Sequence, residues 1–313
     1  MKILLTGASS FTGFWFLKEL AAAGHQVIAT FRKPPAQYPD EPRRTRAALA
    51  QSLCTPVIGP SFGDPAFLDL IKSIAPLDLL AHHAADVTNY KSTDFNTLAA
   101  LQNNTLNIAT TLATLKSAGC NKILLTGSVF ESNEGAGSES LPAFSPYGLS
   151  KELTCHVFRY HARSAELALA KFVIPNPFGP YEEPRFTGFL IKNWFADTTP
   201  AVSTPAYVRD NIHVSLLAKA YAHFASTIPS APCFTKLNPS GYAESQGAFT
   251  LRFAAEMRPR LHLPCPVELK KQTDFAEPRV RINTDIPDTQ SLGWDESAAW
   301  DDIANYYKQV YKK

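Results

Sequence analysis

The chain has 313 residues, room for two domains of the usual ~150 residues or one with an elaborated end. Thirty Lys and Arg stand against 28 Asp and Glu, a net charge of +2. That balance gives no support for a nucleic-acid-binding surface. No run approaches the ~20 apolar residues that span a bilayer, so neither nucleic acid nor membrane is expected as a partner. The five cysteines, Cys54, Cys120, Cys155, Cys233 and Cys265, are odd in number and scattered, with no CxxC pair. They argue against a disulfide framework or a metal site and for a reducing cytoplasm.

In chain order, Lys2–Thr6 is a short apolar run that reads as a first strand, not a signal peptide. A helix over 14–23 follows, stopped at Gly24-His25, then a β-rich run over Gln26–Phe31. Residues 33–47 read as a Pro- and Arg-rich loop, with a helix near 47–53 and a third strand at Val57-Ile58-Gly59. Helix 66–74 and strand 77–81 come next. Residues 95–118 predict one long helix, with Leu98, Leu101, Ile108, Leu112 and Leu115 near helical spacing. A strand over 122–126, a Gly/Ser/Glu-rich loop, a helix over 146–168 and a strand over 170–174 complete this half. Strands alternating with helices predict an α/β fold, a Rossmann doubly wound parallel sheet covered on both faces. After Pro175 proline becomes frequent and the alternation loosens. The chain therefore divides into a dinucleotide-binding domain, 1–174, and a smaller substrate-binding region, 175–313, with segments that can return to the sheet.

Thr6-Gly7-Ala8-Ser9-Ser10-Phe11-Thr12-Gly13 lies between the first strand and the first helix. Gly7 suits a tight turn, Gly13 close helix–strand packing, and the helix N-terminus offers N–H groups to a pyrophosphate. Ser10 replaces the middle glycine of the usual pattern, and its hydroxyl can bond a phosphate oxygen. The end of the second strand, Ala29-Thr30-Phe31-Arg32-Lys33, carries no acid. An acid there favours NAD and an arginine a 2′-phosphate, so Arg32 points to NADP, with NAD as the alternative. Asp64, after the third strand, is placed to reach an adenine.

Tyr147 and Lys151 are four apart at the start of a helix and share a face. A neighbouring ammonium stabilises a phenolate, so this spacing predicts a tyrosine able to exchange a proton near neutral pH. Ser128 follows a buried strand, at the end of a parallel sheet where ligands bind. Thr126 is the rival hydroxyl, nearer the strand interior.

The glycine turn, Ser128 and Tyr147-x-x-x-Lys151 together resemble the extended short-chain dehydrogenase/reductase family, the NAD-dependent epimerase/dehydratase type that modifies nucleotide sugars. Further matches in the same order are His82-His83-Ala84-Ala85, Asn104, Pro175-Asn176-Pro177-Phe178-Gly179-Pro180, Val208-Arg209-Asp210-Asn211-Ile212-His213-Val214 and Ser291-Leu292-Gly293-Trp294. The resemblance implies that Ser128, Tyr147 and Lys151 are catalytic. It implies that Gly7, Ser9, Ser10, Phe11, Thr12, Gly13, Arg32, Asp64, His83, Ala84, Ala85, Asn104, Lys151 and Pro175 line the cofactor. Ser128, Val129, Phe130 and Asn176 are implied at the substrate, with Arg209 and Arg279 on its diphosphate. It also implies a homodimer through the 95–118 and Tyr147 helices.

Dehydratases of the family carry Thr-Asp-Glu around the Ser128 position. Here the residues are Ser128-Val129-Phe130-Glu131, with an acid two positions late, which argues against dehydration. The expected activity is reduction of a keto group on a nucleotide-linked sugar, with Tyr147 as proton donor. An epimerase with tightly bound NAD is the alternative. A non-catalytic NADP sensor ranks lower, because Tyr147 and Lys151 are both present. No metal is expected; His82 and His83 should point to opposite faces.

Overall fold

The computed structural model describes residues 1–311. The first half comprises β1 (Lys2–Thr6), α1 (Phe11–Ala22), β2 (Gln26–Phe31), α2 (Glu41–Ser52), β3 (Thr55–Ile58), α3 (Pro65–Ser73) and β4 (Leu79–His82). It continues with α4 (Thr97–Asn104), α5 (Ile108–Ser117), β5 (Lys122–Ser128), β6 (Ala136–Gly137), α6 (Pro146–Ser164) and β7 (Ala168–Ile174). The second half holds β8 (Asn176–Phe178), α7 (Phe186–Phe195), β9 (Ala201–Val202), β10 (Val208–His213), α8 (Val214–Thr227) and β11 (Phe234–Leu237). β12 (Tyr242–Ser245), α9 (Gln246–Leu261), β13 (Glu268–Leu269), β14 (Val280–Ile282) and α10 (Glu296–Tyr311) end it.

Seven strands form one sheet in the order β11-β7-β5-β4-β1-β2-β3, every pair parallel. This is the Rossmann-like doubly wound arrangement. Both faces are covered, so the strands are apolar on both sides. Ile3, Leu5, Ala29 and Leu124 face one core with α1 and α8, where Phe16 and Tyr221 stack 3.8 Å apart. Leu4, Ile123 and Leu125 face the other, with residues of α3, α5 and α6.

α8 and the edge strand β11 come from beyond Pro175 and lie on the large sheet. The rest of the second half builds its own core on Phe178, Trp194, Phe253 and Trp300. Its small sheet runs β12-β10-β14-β6, with β8 also on β10. β6 belongs to the loop after β5, so the segment leaving β5 is stitched by Arg281↔Gly137 and Ile282↔Ala136 to β14 in the second half.

The single helix expected over 95–118 is two. α4 ends at Asn104 and α5 begins at Ile108. Asn107 adopts the left-handed conformation at φ 48° and donates from Nδ2 to Gly63 O at 2.9 Å. Asparagine tolerates this geometry better than most residues, so the apolar spacing carries on across a break. Leu98, counted into that stripe, is 73% exposed.

Candidate active site

The turn between β1 and α1 is built as its residues require. Gly7 has φ +80°, and a Cβ on it would lie 2.8 Å from Ala84 N. The turn thus abuts the Ala84-Ala85 segment after β4, whose Ala84 N–H donates to Thr6 Oγ1 at 3.0 Å. A Cβ on Gly13 would lie 2.1 Å from Gly7 O. Ser9, Phe11 and Thr12 fall at the open end of α1, where first-turn N–H groups lack helical partners. A pyrophosphate fits that cradle. The role expected for the Ser10 hydroxyl needs correction. It caps α1 by accepting from Gly13 N at 3.1 Å, donates to Gly7 O at 2.9 Å, and lies 2.9 Å from His83 Nε2. These internal bonds hold the turn and turn the hydroxyl inward.

His83 closes the floor of this cleft. Its Nε2 also lies 3.1 Å from Thr12 Oγ1, and its Nδ1 3.1 Å from Thr126 Oγ1. Its ring meets Phe16 edge-on. His82 points the other way, between Phe62 and Phe158. Burial, then the Lys151 charge, pushes both imidazoles down to about 3. They stay neutral and act as hydrogen-bonding struts. Among the described residues no cluster of His, Cys, Asp or Glu can hold a metal ion.

Arg32 is exposed at the end of β2. Its charge reaches Asp86, where it joins hydrogen bonds from Thr88 and Asn103 in outweighing burial and holding the carboxyl below its usual range. Two residues expected at the cofactor have other partners. Asp64 caps α3, its carboxylate accepting from Phe67 N at 2.7 Å and Ser61 N at 2.8 Å. Asn104 is buried, accepts from Asp86 N at 2.9 Å and donates to Thr154 Oγ1 at 3.3 Å. It ties the loop after β4 to α6.

Ser145 caps α6, accepting from Gly148 N at 3.2 Å, and Pro146 occupies its first turn, both favourable at a helix start. Tyr147 is half-buried there, its ring edge-on to Tyr90 and Phe95. A Cβ on Gly148 would lie 2.1 Å from Phe130 O. The turn carrying Ser128, Val129 and Phe130 therefore presses directly on the first turn of α6. Ser128 ends β5, and its Oγ accepts from Phe130 N at 3.2 Å. One turn into α6, Lys151 is buried and donates from Nζ to Thr126 O at 2.5 Å. The expected tuning of Tyr147 by Lys151 is corrected. Burial, then Glu131 and Tyr90, hold the phenol above its ordinary range, and the opposing cation is Arg185. The sequence reading missed Arg185, whose guanidinium lies 5.9 Å from the Phe11 ring centroid.

Glu131 is fully buried. Its Oε1 accepts from Ser128 N at 2.7 Å and its Oε2 pairs with Lys171. Lys171 also reaches Glu134 at 2.7 Å, which binds Lys236 at 2.9 Å and Asn238 at 3.0 Å. The acid is thus a brace under the end of β5.

Near the start of the second half, Asn176 and Arg209 line a cavity of about 10 Å³ with Val129, Phe130, Glu277 and Arg281. Pro175, buried, links β7 to β8 ahead of it. Arg209 is stacked 4.3 Å over Tyr207 and paired with Glu277 at 2.7 Å. Arg279 does not join it: it is exposed, 4.1 Å over Phe275. The second arginine is Arg281, two residues on, 3% exposed. It donates to Glu131 O at 2.5 Å and Pro142 O at 3.2 Å.

The model of the NAD dependent epimerase/dehydratase family matches residues 3–233. The chain belongs to that family. No curated protein matches it. Among solved structures, the UDP-glucose 4-epimerase of Stenotrophomonas maltophila, with bound NAD and a formylated UDP-arabinopyranose, is 19% identical with a TM-score of 0.74, covering 100% of this chain and 99% of that one. The UDP-glucuronic acid 4-epimerase of Bacillus cereus, with UDP-glucuronic acid and NAD, is 17% identical with a TM-score of 0.72, covering 99% and 100%. The UDP-glucose 4-epimerase of Thermotoga maritima, with UDP-glucose, is 16% identical with a TM-score of 0.71, covering 99% of each. At these identities the likeness carries the fold of this family member. No helix among the described residues is long and apolar enough to cross a membrane.

Proposed function

We propose that this family member is a nicotinamide-dependent oxidoreductase that reduces a keto group on a nucleotide-linked sugar, with Tyr147 as proton donor. The observation that supports this reading is the seating of the Ser128–Phe130 turn, at the end of β5, on the first turn of α6, which carries Tyr147, with Lys151 bound to Thr126 O one turn on. A bound dihydronicotinamide supplies the hydride. The chain does the rest. Ser128 holds the carbonyl oxygen, Tyr147 delivers the proton to it, and Lys151 fixes the floor beneath them. The absence of an acid after β2 and the exposed Arg32 support NADPH. Locking of Glu131 onto Lys171 supports reduction over dehydration.

A second reading, a nucleotide-sugar epimerase that retains NAD, is favoured by one observation. The epimerases of similar fold from Stenotrophomonas and Bacillus hold NAD with their nucleotide sugars. Tyr147→Phe decides whether the chemistry sits here. Turnover of a 4-keto nucleotide sugar with NADPH is expected to fall by about 10²–10⁴-fold, with NADPH affinity unchanged. Undiminished turnover rejects the mechanism. NAD that survives purification gives the epimerase reading first place.

The homodimer belongs to the same proposal. α4 and α6 pack on one another and expose Leu98, Leu149 and Tyr160 at 73%, 41% and 60%. A monomeric mass by light scattering at micromolar concentration removes that part.

A further inference from the structure

Two guanidinium groups share the small cavity at the mouth of the substrate side, and one carboxylate stands with them. Arg209, 16% exposed, gives Nη1 to the carbonyls of Val208, Pro278 and Arg279 and Nη2 to Glu277. Arg281 gives its two terminal nitrogens to Glu131 O and Pro142 O, and its Nε is buried with no hydrogen-bond partner among the described residues. Burial first, then the Arg209 charge, pushes Arg281 down. Glu134 acts on Arg281 from the far side, but it is already tied to Lys171 and Lys236. The two guanidiniums that line the cavity thus outnumber the one carboxylate beside them, and Arg281 keeps one buried donor unused.

Glu277 is not part of a strand or helix. It lies on the segment between β13 and β14, its own N–H donating to Tyr207 Oη at 3.2 Å and its side chain 41% exposed. With Glu277 and Pro278 in place the cavity measures about 10 Å³, close to the ~10–15 Å³ that one water molecule needs. A diphosphate at this place therefore requires Glu277 and Pro278 to give way.

We propose that Glu277 is an internal counter-ion that holds the place of the substrate's anionic group on Arg209, and so sets which ligands the site admits. A diphosphate carries more charge than one carboxylate and offers oxygens to both Arg209 and the free Nε of Arg281. It displaces Glu277 and opens the cavity. A neutral nucleoside offers Arg209 nothing in exchange and is refused. The pair is thus a charge threshold for entry. This rests on the reading of the substrate as a nucleotide sugar, and adds to it a residue that works against binding.

The test is calorimetric titration of the full chain with UDP and with uridine, in wild type, Glu277→Gln and Asp274→Asn. A cooperative urea unfolding transition in each protein reports an intact fold. Removing the competitor in Glu277→Gln is expected to tighten UDP about tenfold and to leave uridine unbound. Asp274→Asn, which removes an exposed carboxylate three residues away, is expected to leave UDP affinity unchanged. Equal UDP affinity in wild type and Glu277→Gln, or equal gains from both variants, overturns the proposal and leaves the nucleotide-sugar reading standing. Failure of every protein to bind UDP while each unfolds cooperatively overturns both.

Discussion

Arg46 and Glu183 form an ion pair that joins the two halves of the molecule. Arg46, on α2, has a side chain that is 0% exposed. Besides Glu183 it holds Tyr181 O, and its Nε lies 3.4 Å from Ser9 O in the turn between β1 and α1. One guanidinium thus ties the phosphate turn to the loop that leads into α7. Arg46→Met removes the charge but keeps much of the volume. Breaking a buried pair from one side costs about 3–5 kcal/mol. Glu183 is 25% exposed and can re-solvate, so a loss of about 3 kcal/mol is expected in urea unfolding. NADH affinity should fall as well, because Ser9 loses its anchor. Unchanged values of both would make the pair a bystander.

The cofactor's ribose is the next prediction. With Arg32 exposed and no acid after β2, NADPH is expected to bind at least tenfold more tightly than NADH in fluorescence titration. Arg32→Ala should bring the two together by weakening NADPH alone. If wild type already binds both equally, Arg32 serves Asp86, on which its charge acts, and the 2′-phosphate has no reader here.

Gly148 tests how the Ser128–Phe130 turn is seated. Its missing Cβ leaves room for Phe130 O, which would stand 2.1 Å away. Both groups are backbone, so neither can rotate aside. Gly148→Ala must push the Ser128–Phe130 turn away from α6. Overpacking of this kind costs about 1–3 kcal/mol. A shift of about 1 Å at the chemistry costs about 100-fold in rate. The variant should therefore lose turnover far out of proportion to its melting temperature. A variant that keeps full turnover would show that Ser128 does not depend on this contact.

Much of this was legible in the sequence, for local reasons. The β1 turn and the Tyr147–Lys151 spacing lie within one element or one junction, where residue type and geometry are coupled directly. The buried strands follow from runs apolar on both faces. What escaped depends on distant partners. Arg46 meets Tyr181 from 135 positions away, and nothing around Arg46 announces it. Arg279 and Arg281 are two apart; only the course of the chain into β14 decides that the second turns inward. Asp64 carried its own signal, an acid just before Pro65 at a helix start, but that position also suits an adenine contact. The break at Asn107 was hidden because apolar spacing persists through it.

Glu182 gives the structure a pH dependence of its own. It is 5% exposed, and burial raises its carboxyl to about 7, against hydrogen bonds from Thr187 and Tyr307. Its Oε2 has no partner among the described residues. An acid raised on folding binds its proton more tightly in the folded state. Stability from this group is therefore greatest when it is protonated and declines as pH rises from about 4.5, its ordinary value, to about 7. At ~1.4 kcal/mol per unit the whole decline is about 3 kcal/mol. His82, His83 and His213, each pushed down to about 3 by burial, act in the opposite sense. Their contribution is lost as pH falls below about 6.5, so the net curve of wild type conceals Glu182. Glu182→Gln uncovers it, since the amide mimics the protonated acid. Urea midpoints at pH 5 and pH 7.5 should show the variant gaining on wild type by about 2 kcal/mol at the higher pH. A gap that stays constant between the two would mean that Glu182 is ionised throughout, and that the loop before α7 holds a carboxylate after all.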